Sequence, residues 1–145
     1  MGATVHNTLK ISVKRSSRSL DGARKKLALL FNNSGVDIDI MSQVDLTLYE
    51  IISNIIEHTG KAYRKDDVRV TCIVDEGSIT LMLQYSGGEF DISMAPMPEI
   101  EAHVASGKKR GLGIYIIRTL MDRIEYSHEN KMNCLTLTKI TRSPL

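Results

Sequence analysis

The chain has 145 residues, 42% of them hydrophobic and 25% charged, which is the size of one ordinary domain and a balance that excludes the polar, highly charged composition of a disordered chain. Lys and Arg number 19 against 17 Asp and Glu, and a net charge of +2 supplies no whole-protein field toward nucleic acid or an anionic membrane. No apolar run approaches the ~20 residues of a membrane span, the opening MGATVHNTLK lacks a secretory core, and Cys72 and Cys134 have no zinc-site spacing, so one cytoplasmic domain over 1–145 with reduced thiols is expected.

Ile11 and Val13 alternate with polar neighbours as a short first strand. Leu20, Ala23, Leu27, Leu30 and Phe31 then recur at helical steps, and Asn32-Asn33-Ser34-Gly35 supplies a helix end. A second helix is expected to start near Ser42, with Asp45 completing a capping-box variant, and to run to His58 before Gly60. Val68 to Val74 and Ser78 to Tyr85 flank Asp75-Glu76-Gly77 and read as an antiparallel hairpin. After Ser86-Gly87-Gly88, residues 91–110 form a long loop with Pro96 and Pro98 and one short helical stretch near Glu99 to Val104. From Leu112 the spacing of Ile114, Ile117, Leu120 and Met121 predicts a third helix, and Ile124 to His128 and Met132 to Ile140 predict two closing strands. Strands arriving in hairpins favour an α+β two-layer sandwich, a mostly antiparallel mixed sheet with helices on one face, over a doubly wound fold.

The second helix segregates its faces. Leu48, Ile51, Ile52, Ile55 and Ile56 share one arc, and Glu50, Ser53, Asn54, Glu57 and His58 share the opposite one. A surface helix shows such segregation too, yet Glu50 and Asn54 stand one turn apart, so a carboxylate able to take a hydroxyl proton projects beside an amide oxygen suited to Mg²⁺. His58 continues the stripe, and as a lone helical histidine it is read as a surface or capping group. Gly107-Lys-Lys-Arg-Gly111-Leu-Gly113, just before the third helix, joins close backbone approach and a helix N-terminus to three cations that can pair phosphate oxygens. It is neither a Walker A loop nor a Rossmann turn, and without an aromatic platform its cations make a poor nucleic-acid footprint.

In this order, Glu50-x-x-x-Asn54, a glycine box ending Gly-x-x-Phe90-Asp91 and Arg110-Gly-Leu-Gly-Ile-Tyr-Ile-Ile-Arg-Thr-Leu-Met-Asp122 resemble the GHKL (Bergerat) ATPase fold shared by histidine kinases, gyrase and a heat-shock chaperone. Within it, the chain looks most like the anti-sigma-factor serine/threonine kinases, over a core of about residues 11–139. The resemblance implies ATP and Mg as cofactors, Glu50 as general base, and Asn54 as Mg ligand. It puts Gly87 against the nucleobase, Arg110, Gly111, Leu112 and Gly113 around the phosphates, and residues 93–109 in a lid. Tyr85 stands where the family carries an adenine-binding Asp, and Met132-Asn133 where it carries Gly-Thr, so Tyr85 and Asn133 face the base. The implied partners are a STAS-domain antagonist that is phosphorylated, a sigma factor that competes for the regulator, and a second copy of the chain. An inactive interaction module of the same fold, impaired in nucleotide binding, is the alternative.

Overall fold

The structure is a computed structural model that describes residues 7–58, 60–91 and 112–141. In chain order it contains β1 (Asn7–Val13), α1 (Ser17–Asn33), α2 (Ile38–His58), a single 3-10 turn (Lys61–Tyr63), β2 (Val68–Asp75), β3 (Ser78–Ser86), α3 (Leu112–Leu120), β4 (Arg123–Glu129) and β5 (Met132–Ile140). The strands lie in the order β1-β2-β3-β5-β4, and every pairing among them is antiparallel, with no parallel pair among the described strands. The mostly antiparallel sheet expected from sequence is thus observed, and among the described strands it is antiparallel throughout. β2–β3 and β4–β5 are hairpins, α1 and α2 link the neighbouring strands β1 and β2, and α3 precedes β4.

Local chemistry sets the boundaries. The Ser16 hydroxyl accepts the amide proton of Ser19 and opens α1, and Gly35, at φ +69°, takes the left-handed conformation that ends it. α2 begins four residues before the expected Ser42. Asp37 accepts the amide of Asp39 at 2.8 Å ahead of it, whereas the Ser42 hydroxyl donates to the Ile38 carbonyl inside the helix. Asp45, read as a cap partner, instead makes a two-point pair with Arg24 of α1 at 3.0 and 2.7 Å. β1 also starts earlier than Ile11, because Asn7 to Lys10 pair with Thr71 to Val74. Between β4 and β5, Asn130 and Lys131 both have positive φ, as a two-residue type I′ hairpin requires.

The helices cover one face of the sheet. Val70 and Cys72 of β2, Leu81 and Leu83 of β3, and Leu135 and Leu137 of β5 are buried beneath Leu27 and Phe31 of α1, Leu48, Ile51, Ile52 and Ile55 of α2, and Ile117 of α3. The alternate strand positions, among them Thr71, Thr80, Thr136 and Thr138, are only partly buried, the period-two pattern of a sheet packed on one side. α2 lies between α1 and α3, contacting both. Its apolar arc goes to the sheet, and its polar stripe is left along the α3 side.

Candidate functional site

The polar stripe of α2 runs from α3 to the glycine turn after β3. At one end, the first turn of α3 packs directly on it. A Cβ at Gly113 would run into Glu50 Oε2 and lie 3.5 Å from Asn54 Nδ2, so glycine lets the α3 backbone come this close with the Glu50 carboxylate where it is. Glu50, Asn54 and Gly113 therefore stand together, with the positive dipole end of α3 beside them. Burial pushes the Glu50 carboxyl above its ordinary range, favouring proton uptake. Asn54 Nδ2 donates to the Glu50 carbonyl at 2.8 Å, and because a carbonyl only accepts, Oδ1 is the atom left to ligate a cation.

At the other end, His58 packs its ring on Phe90, with centroids 4.8 Å apart. Here a cavity of about 250 Å³ is lined by Arg15, Ile55, His58, Tyr63, Tyr85, Gly87, Phe90 and Asn133, among others. That is smaller than the ~300–1,000 Å³ of a whole drug-sized ligand's site, and suits a single ring system. Gly87 has φ +144°, a conformation that favours glycine, and its amide donates to the Lys131 carbonyl at 2.9 Å.

Asn133 ties this turn down. It is 1% exposed, and its Nδ2 donates to the carbonyls of Tyr85 and Gly88, both at 3.2 Å. Its Oδ1 accepts from the Phe90 amide at 3.3 Å and from the Tyr126 hydroxyl, so both donors and the oxygen are engaged. The Phe90 amide also donates to the Tyr126 oxygen at 2.9 Å. Tyr85 is 3% exposed and points its hydroxyl at the Phe90 carbonyl, 3.3 Å away, and burial pushes its ionisation well above the ordinary tyrosine range. His128 Nε2 stands 3.0 Å from the Gly87 carbonyl and so must carry the proton there. On the near side, Arg15 donates to the Ser86 carbonyl and hydroxyl and to the Asp66 carbonyl, and the Ser86 hydroxyl donates to the Asp66 carboxylate at 2.7 Å.

A model of the histidine kinase-like ATPase domain matches residues 13–139. The chain belongs to that family. Among relatives of this ATPase domain, the serine-protein kinase RsbW of Bacillus mycoides is 29% identical over 125 residues, covering 82% of this chain and 76% of that protein. The RsbW of Bacillus cereus is likewise 29% identical over the same coverage. The chain is thus a distant homologue of the RsbW anti-sigma-factor serine kinases. In shape it superposes on the RsbU and RsbW domains of a Mycobacterium tuberculosis protein with a TM-score of 0.69 at 14% identity, over 95% of this chain and 33% of that longer one. A chain of the SiaB-SiaC complex from Pseudomonas aeruginosa superposes with a TM-score of 0.62 at 12% identity, over 91% and 89% of the two chains. These likenesses show the histidine kinase-like ATPase fold.

An ATPase domain implies a nucleoside triphosphate, and the residues present fit one unequally. At the α3 end the Gly113 backbone, the α3 N-terminus and the Asn54 amide oxygen could hold the phosphates of a triphosphate and a Mg²⁺, a metal that keeps several waters and takes few protein oxygens. At the other end there is room for a ring beside Gly87, but the polar atoms of Tyr85 and Asn133 are turned into the protein. Leu112 opens α3, whereas Arg110, Gly111, the 93–109 loop and the Glu99 to Val104 stretch lie outside the described residues. Sequence reasoning missed His58, Arg15, Asp66, Tyr126 and His128 as parts of the site. Only His58 carried a signal, its place on the Glu50 stripe. Among the described residues no helix is long and apolar enough to cross a membrane.

Proposed function

We propose that this chain is a cytoplasmic RsbW-like serine/threonine-protein kinase, acting as one ATPase-like domain, that phosphorylates a STAS-domain antagonist and sequesters a partner regulator such as a sigma factor. The observation that carries the reading is the packing of the α3 backbone at Gly113 against the Glu50 carboxylate with Asn54 alongside. ATP is the phosphoryl donor in this reading, held with its phosphates at the start of α3 and its base near Gly87. Mg²⁺ ligated by Asn54 Oδ1 supplies charge neutralisation at the phosphates when bound. Glu50 takes the proton of the substrate hydroxyl as that oxygen bonds to the γ-phosphorus and the bond from that phosphorus to the bridging oxygen breaks, releasing ADP, and its raised proton affinity makes it a stronger base than an exposed carboxylate. The family asks little else of the protein, since phosphoryl transfer is mostly positioning and electrostatics.

The test is transfer of labelled phosphate from Mg-ATP to candidate STAS proteins. Glu50→Gln should lower the rate by about 10²–10⁴-fold with nucleotide affinity kept, the range expected for loss of a general base. Absence of nucleotide binding at millimolar concentration removes the reading.

A second reading, a non-catalytic interaction module, is favoured by the inward-turned Tyr85 and Asn133. Under it, Glu50→Gln leaves partner regulation unchanged, whereas under the first it abolishes switching.

A further inference from the structure

Asn133, Tyr85, Tyr126 and His128 spend polar groups on one another and on the backbone of the Gly87 turn. Asn133 uses both amide protons on the Tyr85 and Gly88 carbonyls, and its oxygen takes two donors, the Phe90 amide and the Tyr126 hydroxyl. The Tyr85 proton goes to the Phe90 carbonyl, and the Gly87 carbonyl receives His128. What a ring entering the cavity meets from these residues is the Tyr85 and Phe90 rings and the glycine backbone, surfaces that contact any planar base alike.

Base discrimination depends on such groups. Adenine and guanine differ at their edges by exchange of hydrogen-bond donors for acceptors. A site with a committed partner for a substrate N–H or O–H rejects the wrong analogue by roughly 10⁴–10⁵, and a site offering only shape and apolar contact rejects an isostere by about 10²-fold or less. Freeing Asn133 to read a base would strand the buried Tyr85 carbonyl, and freeing the Tyr85 hydroxyl would cost the part-buried Phe90 carbonyl its donor.

We infer that the cavity at Gly87, closed by the Asn133, Tyr85 and Tyr126 hydrogen bonds, binds a purine nucleoside triphosphate without reading the base, so that GTP binds about as well as ATP. The inference rests on the proposed nucleotide site and deepens it. Affinity then comes from the phosphate end at Gly113 and Asn54, with the base contributing stacking alone.

The experiment is competition binding on the wild-type chain, so no variant's folding enters. ATP and GTP, each with Mg²⁺, displace a fluorescent trinitrophenyl-ATP probe. Dissociation constants within about tenfold of each other are expected, because Tyr85 and Asn133 commit no donor or acceptor to either edge. Binding of both with either purine favoured by more than about tenfold overturns the inference and leaves the nucleotide site standing. Failure of probe, ATP and GTP alike overturns the inference together with the kinase reading.

Discussion

Gly113 and Glu50 are coupled through a single missing methyl group. In Gly113→Ala the new Cβ would meet the end of the flexible Glu50 side chain, which can swing aside, so the fold tolerates the change while the carboxylate is displaced. Alanine also gains about 0.5–1 kcal/mol over glycine within a helix. The expected outcome is a Tm unchanged or raised by about 2–4 °C, with phosphoryl transfer lowered about 10²-fold. Calorimetry and the transfer assay read the two separately, and a destabilised variant would contradict this account. Glu50 itself carries a stability cost. Its folded-state proton affinity is raised by burial, so its protonated form is favoured on folding, and that contribution is lost as pH rises through the raised pKa. Glu50→Gln, neutral throughout, should therefore unfold at or above the wild-type temperature at neutral pH. The difference should shrink as pH falls through the raised pKa, and the acid limb of the transfer rate should lie above the usual carboxylate range.

The glycine turn behaves as a clasp between β3 and β5, and α2 as the rail that links it to α3. Asn133→Ala would deprive the carbonyls of Tyr85 and Gly88 and weaken the hold on Phe90 in one change, at an expected cost of about 2–4 kcal/mol in denaturant unfolding. Tyr126→Phe leaves the Phe90 amide its Asn133 oxygen and should cost only about 1 kcal/mol. Equal losses in the two variants would show that Asn133 is not the centre of the clasp. These elements differ in how openly their sequence declares them. The apolar arc of Leu48, Ile51, Ile52 and Ile55 is strictly periodic, so α2 and its polar stripe are legible from spacing alone, as are the hairpins at Gly77 and Asn130. The start of α2 is not, because Asp45 resembles a local cap and is claimed by Arg24 on another helix. Nor is the clasp. Tyr85, Asn133 and Tyr126 meet only through strand register, and Arg15 reaches Ser86 across 71 positions of sequence, a pairing without local pattern.

At the scale of the molecule, the two thiols report on different parts of the same sheet. Cys72 is fully buried on the helix-covered face of β2, between β1 and β3, and burial pushes its thiol up to about 12. Cys134 lies on the open face of β5 and is only partly buried. The thiolate is the reactive form, so in the folded protein a disulfide reagent should modify Cys134 first and leave Cys72 silent. Exposure of Cys72 requires the helical layer to leave the sheet, which also dissolves the core formed by Leu48, Ile51, Leu81 and Leu135. Its labelling rate should therefore fall with the full unfolding free energy, and its denaturant dependence should match the equilibrium m value of the whole chain. A shallower dependence would mean that β1 and β2 open separately from the rest. The site would then sit across two cooperative units, because Arg15, just beyond β1, anchors the turn that carries Ser86 and Gly87.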